Sequence, residues 1–513
     1  MAVNPADLAG ADLDVLVIGG GIVGAGAALD AVTRGLRVGL VEAGDWGGRR
    51  SGLTSTLVHG GLVDLPVIGV GAVAALRRER DLLLDRTAPH LVRRVPLLVP
   101  LTHGLPERLA VGAGLSLYDA AAFSIRQPGV LPGHRQLARR AVRRLAPALA
   151  IEDVTGAVQL YEAQVDDARL TVTAVRTAIA YGAVALARTP VIRLLSEHNR
   201  VVGAVLDGPS GAQSVRARSV VLATGTQLAP GDSLRLTEPT ASKSVHLVLP
   251  RSQIHSSTGL ALREGEHVVY VVPWGRHWIV GSTAAWSDTD QVLAELNRHL
   301  ARPIDASAVE STYATAASVG ADADRTPLVQ TPAPGLVQVR GSGLAGYRAD
   351  AEHAIDAAVA QIGGLHPPST TRRVPLLGAS GFTARWNQRH LLARRAGVHV
   401  VQMEHLLHRY GSGVDVLIEA IRQRPELAAP VSGAEDYLQA EIWFAVAYED
   451  ATELSDVLAR RTRIAMETRD GGAAAAPGVA TLMASDLGWD DHEIDRQVRT
   501  YRAGLRAAQI PNS

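Results

Sequence analysis

The chain has 513 residues, 47% of them hydrophobic, with 51 Lys and Arg against 51 Asp and Glu. That length is enough for about two or three domains with real cores, and a net charge near zero excludes the broad basic excess of a general nucleic-acid binder. Cysteine is absent, which excludes disulfides, iron–sulfur clusters, thiolate zinc sites, cysteine nucleophiles and a flavin tethered through sulfur.

The first residues, MAVNPADLAGADLD, carry neither a basic n-region nor an apolar h-region, and no later run approaches the ~18 apolar residues of a spanning helix. The expectation is a cytoplasmic protein or one held on a membrane face. Asp14–Ile18 (DVLVI) is nearly all apolar, as a buried parallel strand requires, and a glycine cluster follows at once. Ile22 to Arg34 reads as a helix rich in Ala, Val and Leu, closed by Gly35 as a natural C′ residue. Arg37–Glu42 (RVGLVE) is the next strand, and the order strand, turn, helix, strand opens a doubly wound fold.

Gly19-Gly20-Gly21-Ile22-Val23-Gly24 fits G-x-G-x-x-G in the required place, after a strand and before a helix. Gly19 permits the tight turn, Gly21 lets the backbone approach a pyrophosphate, and Gly24 lets helix pack on strand, while the helix N-terminus stabilises phosphate charge. Glu42, 18 residues beyond Gly24, offers a carboxylate to an adenosine ribose diol. It would repel a 2′-phosphate, which disfavours NADP.

Past the second strand, Leu53–Leu65 (LTSTLVHGGLVDL) sets His59 between an apolar pair and two glycines. It reads either as chemistry or as a histidine held by packing. Leu131–Leu149 is basic: Leu137, Ala141 and Leu145 fall on one helical face, with Arg139, Arg140, Arg143 and Arg144 opposite. Contact with anionic lipid and a plain solvated face both suit this pattern, and the solvated face is the expectation. Asp166-Asp167 stands directly before a helical run, Leu170–Tyr181, and reads as its cap.

Ser219–Ala223 (SVVLA) is a further apolar strand ending in Ala223-Thr224-Gly225. Val268–Thr283 reads as a strand pair about a Pro-Trp-Gly turn, suited to a second sheet. Gly335–Arg340 (GLVQVR) is another strand, running into a Gly-rich turn at Gly341–Gly346 and a helix over Tyr347–Ile362. Strand ends so far apart in the chain predict one sheet interrupted by insertions. Gly363–Thr371 (GGLHPPSTT) reads as a linker, after which the pattern turns helical, with strong periodicity in Ala440–Val446 and Leu454–Met466. The domain boundary falls near residue 375. Glu404-His405-Leu406-Leu407-His408 puts two histidines at i, i+3; zinc-binding helices favour i, i+4 with a third ligand, so these read as ordinary surface or core histidines.

A nicotinamide dehydrogenase usually completes its sheet in one continuous stretch, whereas this chain returns to the sheet late and ends on a Gly-rich turn capping a helix. That late helix N-terminus, around Ala345–Tyr347, offers its positive end to the N1–C2=O edge of a reduced isoalloxazine. The layout favours FAD.

With these residues in view, the chain resembles the FAD-dependent glycerol-3-phosphate dehydrogenases of the respiratory, membrane-associated type, especially their actinobacterial members. The likeness covers nearly the whole chain. It includes VLVIGGGIVGAGAALDAVTRGLRVGLVEAGD at 15–45, LVHGGL at 57–62, APHLV at 88–92, VDDARL at 165–170 and VVLATG at 220–225. It continues through KSVHLVLPR at 243–251, VVPWGRHWIVGST at 271–283 and DVLARRTRIAME at 456–467, the last the most family-specific.

The resemblance implies an α/β fold in which a Rossmann-type FAD-binding sheet (segments about 12–65, 150–235 and 330–362) is interleaved with a substrate-cap β-sheet domain (about 66–149 and 236–329). Together these make an oxidoreductase core over 1–375, followed by an all-α C-terminal domain over 376–513. The implied reaction is hydride transfer from C2 of sn-glycerol 3-phosphate to N5 of FAD, giving dihydroxyacetone phosphate, with electrons passed to a quinone. The implied setting is a homo-oligomer in peripheral contact with the inner face of the cell membrane. The cofactor pocket is expected to draw on Gly19, Gly20, Gly21, Gly24, Glu42, Ala43, Thr54, Ser55, Leu57, His59, Gly60, Gly61, Ala223, Thr224, Gly225, Gly343 and Leu344. His59 falls where the family has a histidine beside the flavin, and a neutral imidazole suits removal of the hydroxyl proton.

The substrate-facing set departs from the family pattern. Where the family reads S-S-K-L-[IV]-H-G-G-L-R-Y-L, this chain has Thr56 for the lysine, Val63 for the arginine and Asp64 for the tyrosine. T-Y-[SA]-G-[VL]-R-P-L becomes T-Y-A-T-A-A-S-V, with Ala317 at the arginine; G-G-K-L-T-x-Y-R becomes Gly341–Arg348, with Gly343 at the lysine; the aspartate of G-[TL]-T-D is Ala284. A charge-assisted hydrogen bond to phosphate contributes about 1.5–3 kcal/mol, so two or three missing cations weaken phosphate binding by orders of magnitude. Two readings therefore stand: glycerol-3-phosphate oxidation, and a divergent paralogue that keeps the flavin scaffold with a changed, non-phosphorylated substrate or no turnover. Arg348 and Lys243 are the nearest replacement cations in the matched segments.

Overall fold

A computed structural model of the chain describes residues 8, 10, 12–48, 50–61, 65–102, 111–113, 130–208, 211–225, 227–228, 236–237, 242–264, 267–284, 286, 288–317 and 328–508. Asp12–Ile18 lies inside the first sheet because Val15, Leu16 and Val17 are all fully buried, which only a strand covered on both faces allows. It runs parallel to Val38–Val41 on one side and to Gly211–Leu222 on the other, with Val15 opposite both Val38 and Ser219. Leu336–Arg340 extends the parallel order beyond Gly211–Leu222, and Val184–Leu186 extends it beyond Val38–Val41. Leu328–Ala333 and the pair Val191–Glu197 and Arg200–Gly208 add antiparallel strands. The distant strand ends thus meet in one sheet, as their apolar character predicts.

Helices Ile22–Thr33, Asp167–Ala180 and Tyr347–Ile362 cover this sheet. The first and last approach closely because Gly26 has no side chain: a Cβ there would stand 3.0–3.1 Å from Tyr347 and Ala351. Ile22–Thr33 closes with Arg34 as C-cap and Gly35 at φ +83°, where Gly35 N donates to Val32 O and Leu36 N to Ala31 O. Asp166 caps Asp167–Ala180, accepting from Arg169 N at 3.1 Å.

Among the described residues the second sheet has nine strands. Ser311–Ala317, Ser242–Pro250, His277–Ser282, His267–Trp274, Gly259–Glu264, Arg93–Leu101, Gly156–Gln164 and Leu57–Val58 follow one another, and Arg135–Ala138 joins Gly156–Gln164. The expected strand pair turns at Gly275, φ +52°. Leu57–Val58 and Gly156–Gln164, grouped with the cofactor segments on sequence, belong here. Arg93–Leu101 pairs with Gly156–Gln164 along its whole length, Arg93 opposite Gln164 and Leu101 opposite Gly156. A strand's sheet is set by such a ladder rather than by nearness in the chain. Leu328–Ala333, which begins inside the expected cap segment, pairs with the first sheet instead. In the basic segment, helix Arg139–Leu145 buries Val142, whereas Leu137 sits on the preceding strand.

Gly363–Thr371 is pinned along its second half. Ser369 and Thr371 both donate to the buried Asp30, and Arg348 Nη1 donates to Thr371 Oγ1 at 3.1 Å. Beyond it, helices Arg389–Ala396, Val400–Tyr410, Val414–Gln423, Gln439–Tyr448, Ala476–Leu487 and Asp491–Ala508 enclose two apolar clusters. This domain is helical without being strictly all-α, since Pro430–Val431 and Ala434–Leu438 form a small hairpin about Gly433, φ +80°. His405 meets Glu441 at 3.1 Å and His408 Nδ1 meets His90 O at 3.3 Å, so both histidines serve packing. Among the described residues, no helix is long and apolar enough to cross a membrane.

Burial holds three imidazoles neutral, with His90 pushed down to about 3 and His246 and His408 to about 4. The unfolded chain titrates these groups near 6.5, so as the pH falls below that value it binds protons the fold refuses. Their stabilising contribution is complete above about pH 6.5 and declines below it, by up to about 1.4 kcal/mol per pH unit for each imidazole. The urea midpoint should drop between about pH 7 and about pH 5, and His90→Phe should flatten the drop; a midpoint constant over that range would refute the assignment.

Candidate functional site

At the end of Asp12–Ile18 the backbone turns sharply into the first helix. Gly19 has φ +114°, and a Cβ there would stand 2.6 Å from Ala223 O. A Cβ at Gly24 would overlap Gly19 O. Gly19 N donates to Val41 O and Ala223 N to Ile18 O, each at 2.8 Å, so three strand ends converge on this turn. Gly21 is the N-cap with no side-chain cap, and the first turn of the helix carries no acidic residue, leaving its positive end for an anion. Ile22 N meets Ser51 Oγ at 3.0 Å.

Glu42, half-buried where Val38–Val41 ends, accepts from Gly20 N at 2.6 Å and from Gly44 N at 2.9 Å, while Ala43 beside it is exposed. The loop that follows folds back on the turn. Trp46 packs on Gly20, and Gly47 N donates to Gly20 O at 3.0 Å. A glycine cradle that any Cβ would fill, a helix N-terminus without acidic residues and a carboxylate at the neighbouring strand end fit the adenosine and pyrophosphate of FAD.

The stretch around His59 is held from several sides. Thr54 N donates to Asp167 Oδ2 at 2.7 Å and Tyr313 Oη to Thr54 O at 2.9 Å. Ser55 is half-buried and Leu57 buried. Thr56 sits in the left-handed region at φ +61°, which strains a β-branched residue by about 1–2 kcal/mol. Its neighbours over-determine that geometry: Thr56 N donates to Thr54 Oγ1 at 3.1 Å and Val165 N to Thr56 O at 2.9 Å. The half-buried His59 ring lies 5.2 Å from the ring of Tyr270, tilted by 53°. Gly60 N donates to Glu162 Oε2 at 2.9 Å, and Arg80 Nη1 donates to the same oxygen at 2.9 Å. Gly61 follows at φ +79° against Leu76 and Val73. Glu162 and Arg80 are both buried, so a buried ion pair fixes the turn next to the histidine.

Thr224 and Gly225, φ +71°, lie half-buried at the end of Gly211–Leu222. On the late turn, Gly341 packs on Val23 of the first helix, which brings the two glycine turns together. Ser342 N and Oγ donate to Asp350 Oδ2 at 2.7 and 2.9 Å, and burial pushes that carboxyl up to about 6 against the pull of those bonds. Gly343 has φ +117° with open space where a side chain would start, and Leu344 is buried.

Two of the positions where the resemblance places substrate-facing groups hold alanine. Ala284 is buried, its carbonyl accepting from Ser244 Oγ at 3.2 Å, and Ala317 pairs with Ser242. Val63 and Asp64 lie outside the described residues, as does the side chain of Lys243. Arg348 does not replace a missing cation: it is buried, donating two hydrogen bonds to Glu79 at 2.6 and 2.7 Å and one to Glu352 at 2.7 Å. Ser51, Trp46, Glu162, Arg80, Tyr270 and Asp350 also shape the site, although no motif in the sequence marks them.

Two family models match the chain: FAD dependent oxidoreductase over residues 14–349, and the C-terminal domain of alpha-glycerophosphate oxidase over residues 369–494. Glycerol-3-phosphate dehydrogenase of Mycobacterium leprae is 39% identical over 96% of this chain and 88% of its own length. Glycerol-3-phosphate dehydrogenase 2 of Mycobacterium tuberculosis is 40% identical over the same shares. The structure of glycerol-3-phosphate dehydrogenase from Bacillus halodurans complexed with FAD is similar in fold, with a TM-score of 0.78 at 24% identity, covering 99% of this chain and 97% of that one.

Replacing Glu162 tests the ion pair under the His59 turn. Glu162→Ala should destabilise the protein by about 3 kcal/mol, the lower end for a broken buried pair because Asp81 remains beside Arg80. Glu162→Gln should cost less, since an amide oxygen still accepts from Gly60. Equal urea midpoints for parent and Glu162→Ala would show that the pair contributes nothing.

Proposed function

The chain belongs to the FAD-dependent glycerol-3-phosphate dehydrogenase family, and on that premise we propose that it oxidises the C2 hydroxyl of sn-glycerol 3-phosphate to the ketone of dihydroxyacetone phosphate. The observation that carries the reading is His59, held against Tyr270 on a turn whose next amide is tied to Glu162. On this reading Gly19, Gly20, Gly21 and Gly24 receive the pyrophosphate and Glu42 the ribose. Thr54, Ser55, Leu57, Gly60, Gly61, Ala223, Thr224, Gly225, Gly343 and Leu344 border the rest of the cofactor. FAD, when bound, supplies the acceptor for the hydride leaving C2. His59 takes the hydroxyl proton through its imidazole, whose ring orientation Tyr270 restricts. The N-terminus of Tyr347–Ile362 stabilises negative charge at its end of the site. A quinone as final acceptor and a homo-oligomer on the inner membrane face complete the proposal.

A second reading rests on a specific observation. Thr56, Ala317 and Gly343 stand at positions that carry cations in the family pattern, and Arg348 is committed to Glu79. Gly343 at φ +117° has a backbone that a lysine would adopt only under strain. This favours a secondary alcohol or polyol without phosphate, oxidised by the same residues.

Anaerobic addition of glycerol 3-phosphate to the flavin-loaded protein should bleach its visible absorption within seconds. His59→Asn should keep the flavin spectrum and slow the bleaching by about 10²–10⁴-fold, the usual contribution of a general base. A loaded protein that ignores glycerol 3-phosphate but is bleached by unphosphorylated glycerol or a related diol would decide for the second reading. Bleaching at an unchanged rate in His59→Asn would remove the histidine from the chemistry.

A further inference from the structure

The segment Asp456–Glu467 belongs to the C-terminal domain and takes no part in the chemistry above, yet its arginines reach the loops that surround the glycine turn. Arg461 is fully buried. Its Nη1 and Nη2 grip Asp45 at 2.6 and 2.7 Å, and Arg460 Nε bonds the same carboxylate. Asp45 precedes Trp46, which packs on Gly20, and Gly47, which donates to Gly20 O. Burial alone would raise the Asp45 carboxyl, but Arg461 and Arg460 hold it down at about 2.

Arg463 reaches the second loop. Its Nη1 donates to Gly52 O at 2.8 Å, its Nε to Asp166 Oδ1 at 2.9 Å, and its Nη2 to Asp167. Gly52 follows Ser51, whose hydroxyl meets Ile22 N at the helix N-terminus, and Asp167 holds Thr54 N. A Cβ at Gly52 would stand 2.5 Å from Gly47 O, so the two loops also rest on each other. Each arginine therefore stands two bonded steps from the backbone that shapes the dinucleotide turn.

We propose that Arg461 and Arg463 are positioning residues for FAD. They hold residues 45–47 and 51–54 in the shape that receives the dinucleotide, so docking of the C-terminal domain and retention of FAD are thermodynamically coupled. The proposal rests on the reading of Gly19–Gly24 as the dinucleotide turn and is independent of the substrate. Coupling is reciprocal, so bound FAD in turn stabilises the contact of Asp456–Glu467 with the first sheet.

The test uses the full chain freed of flavin and titrated with FAD, read by quenching of flavin fluorescence, with thermal unfolding followed with and without saturating FAD. In Arg461→Met and Arg463→Met the Kd for FAD should rise by about tenfold or more, as expected when charge-assisted bonds that shape a site are lost, and the stabilisation by FAD should shrink. Arg461→Lys and Arg463→Lys should recover part of the affinity. Arg385→Met, which breaks an exposed pair with Asp415 in the same domain, should leave the Kd unchanged. If the methionine variants do not fold, Asp45→Asn and the partly exposed Arg460→Met probe the same contact. Hydrogen exchange of Asp456–Glu467 should slow when FAD is added to the parent. A Kd within about twofold of the parent, with unfolding midpoints lowered equally with and without FAD, would overturn the proposal by showing a purely structural role. A parent chain that binds no FAD would instead overturn the dinucleotide reading beneath it.

Discussion

A guanidinium taken out of water needs counter-charges and acceptors close at hand, and the buried arginine cluster between the first sheet and the C-terminal helices supplies them to most of its donors, leaving Arg169 Nε and Arg409 Nε without a hydrogen bond. Arg461 spans Asp45 and the carbonyl of Glu449, while Glu449 answers Arg169. The carbonyl of Arg461 in turn accepts from Arg169 at 2.5 Å and Arg409 at 2.6 Å. Arg463 and Arg409 share Asp166. Moving the C-terminal helices would strand several buried charges together, each worth several kcal/mol when unpaired. The buried pairs thereby favour this relative placement of the two parts. Ion pairing keeps Asp45 and Asp166 well below the ordinary carboxylate range although burial alone would raise them. The stability that these two carboxylates contribute is complete above about pH 4, where the unfolded chain is ionised too, and declines as the pH falls from there through the lowered values.

The same placement gives several residues two duties. Asp166 caps Asp167–Ala180 and also receives Arg409 and Arg463. Asp167 lies in the first helical turn, holds Thr54 N and answers Arg463. The acidic pair caps the helix and also serves partners more than 100 residues away. Glu162 combines roles in a similar way, fixing the backbone beside His59 while neutralising Arg80.

Scaffold and substrate face follow different constraints. The glycine turn, the close packing at Gly26 and the ladders of the first sheet are imposed by backbone geometry, which leaves little freedom for replacement. At the positions where the resemblance places substrate-facing groups, Ala284 and Ala317 lie under no such demand, whereas Thr56 at φ +61° and Gly343 at φ +117° do. A chain can therefore keep the flavin fold intact while its substrate-facing residues change.

What the sequence by itself determined was local. The apolar run Asp14–Ile18, the glycines from Gly19 to Gly24, the carboxylate of Glu42 and the helix Tyr347–Ile362 are legible because each is dictated within a few residues, by burial period, steric space or capping. The late returns to one sheet were legible too, since fully apolar strands must be covered on both faces. Only the tertiary structure decided that Leu57–Val58 and Gly156–Gln164 join the second sheet, that Arg348 is spent on Glu79, and that the arginines of Asp456–Glu467 grip the loops around the glycine turn. These outcomes depend on hydrogen-bond ladders and buried charge pairs between residues up to about 400 positions apart, and neither a ladder nor a counter-charge leaves a mark in the local pattern of either partner.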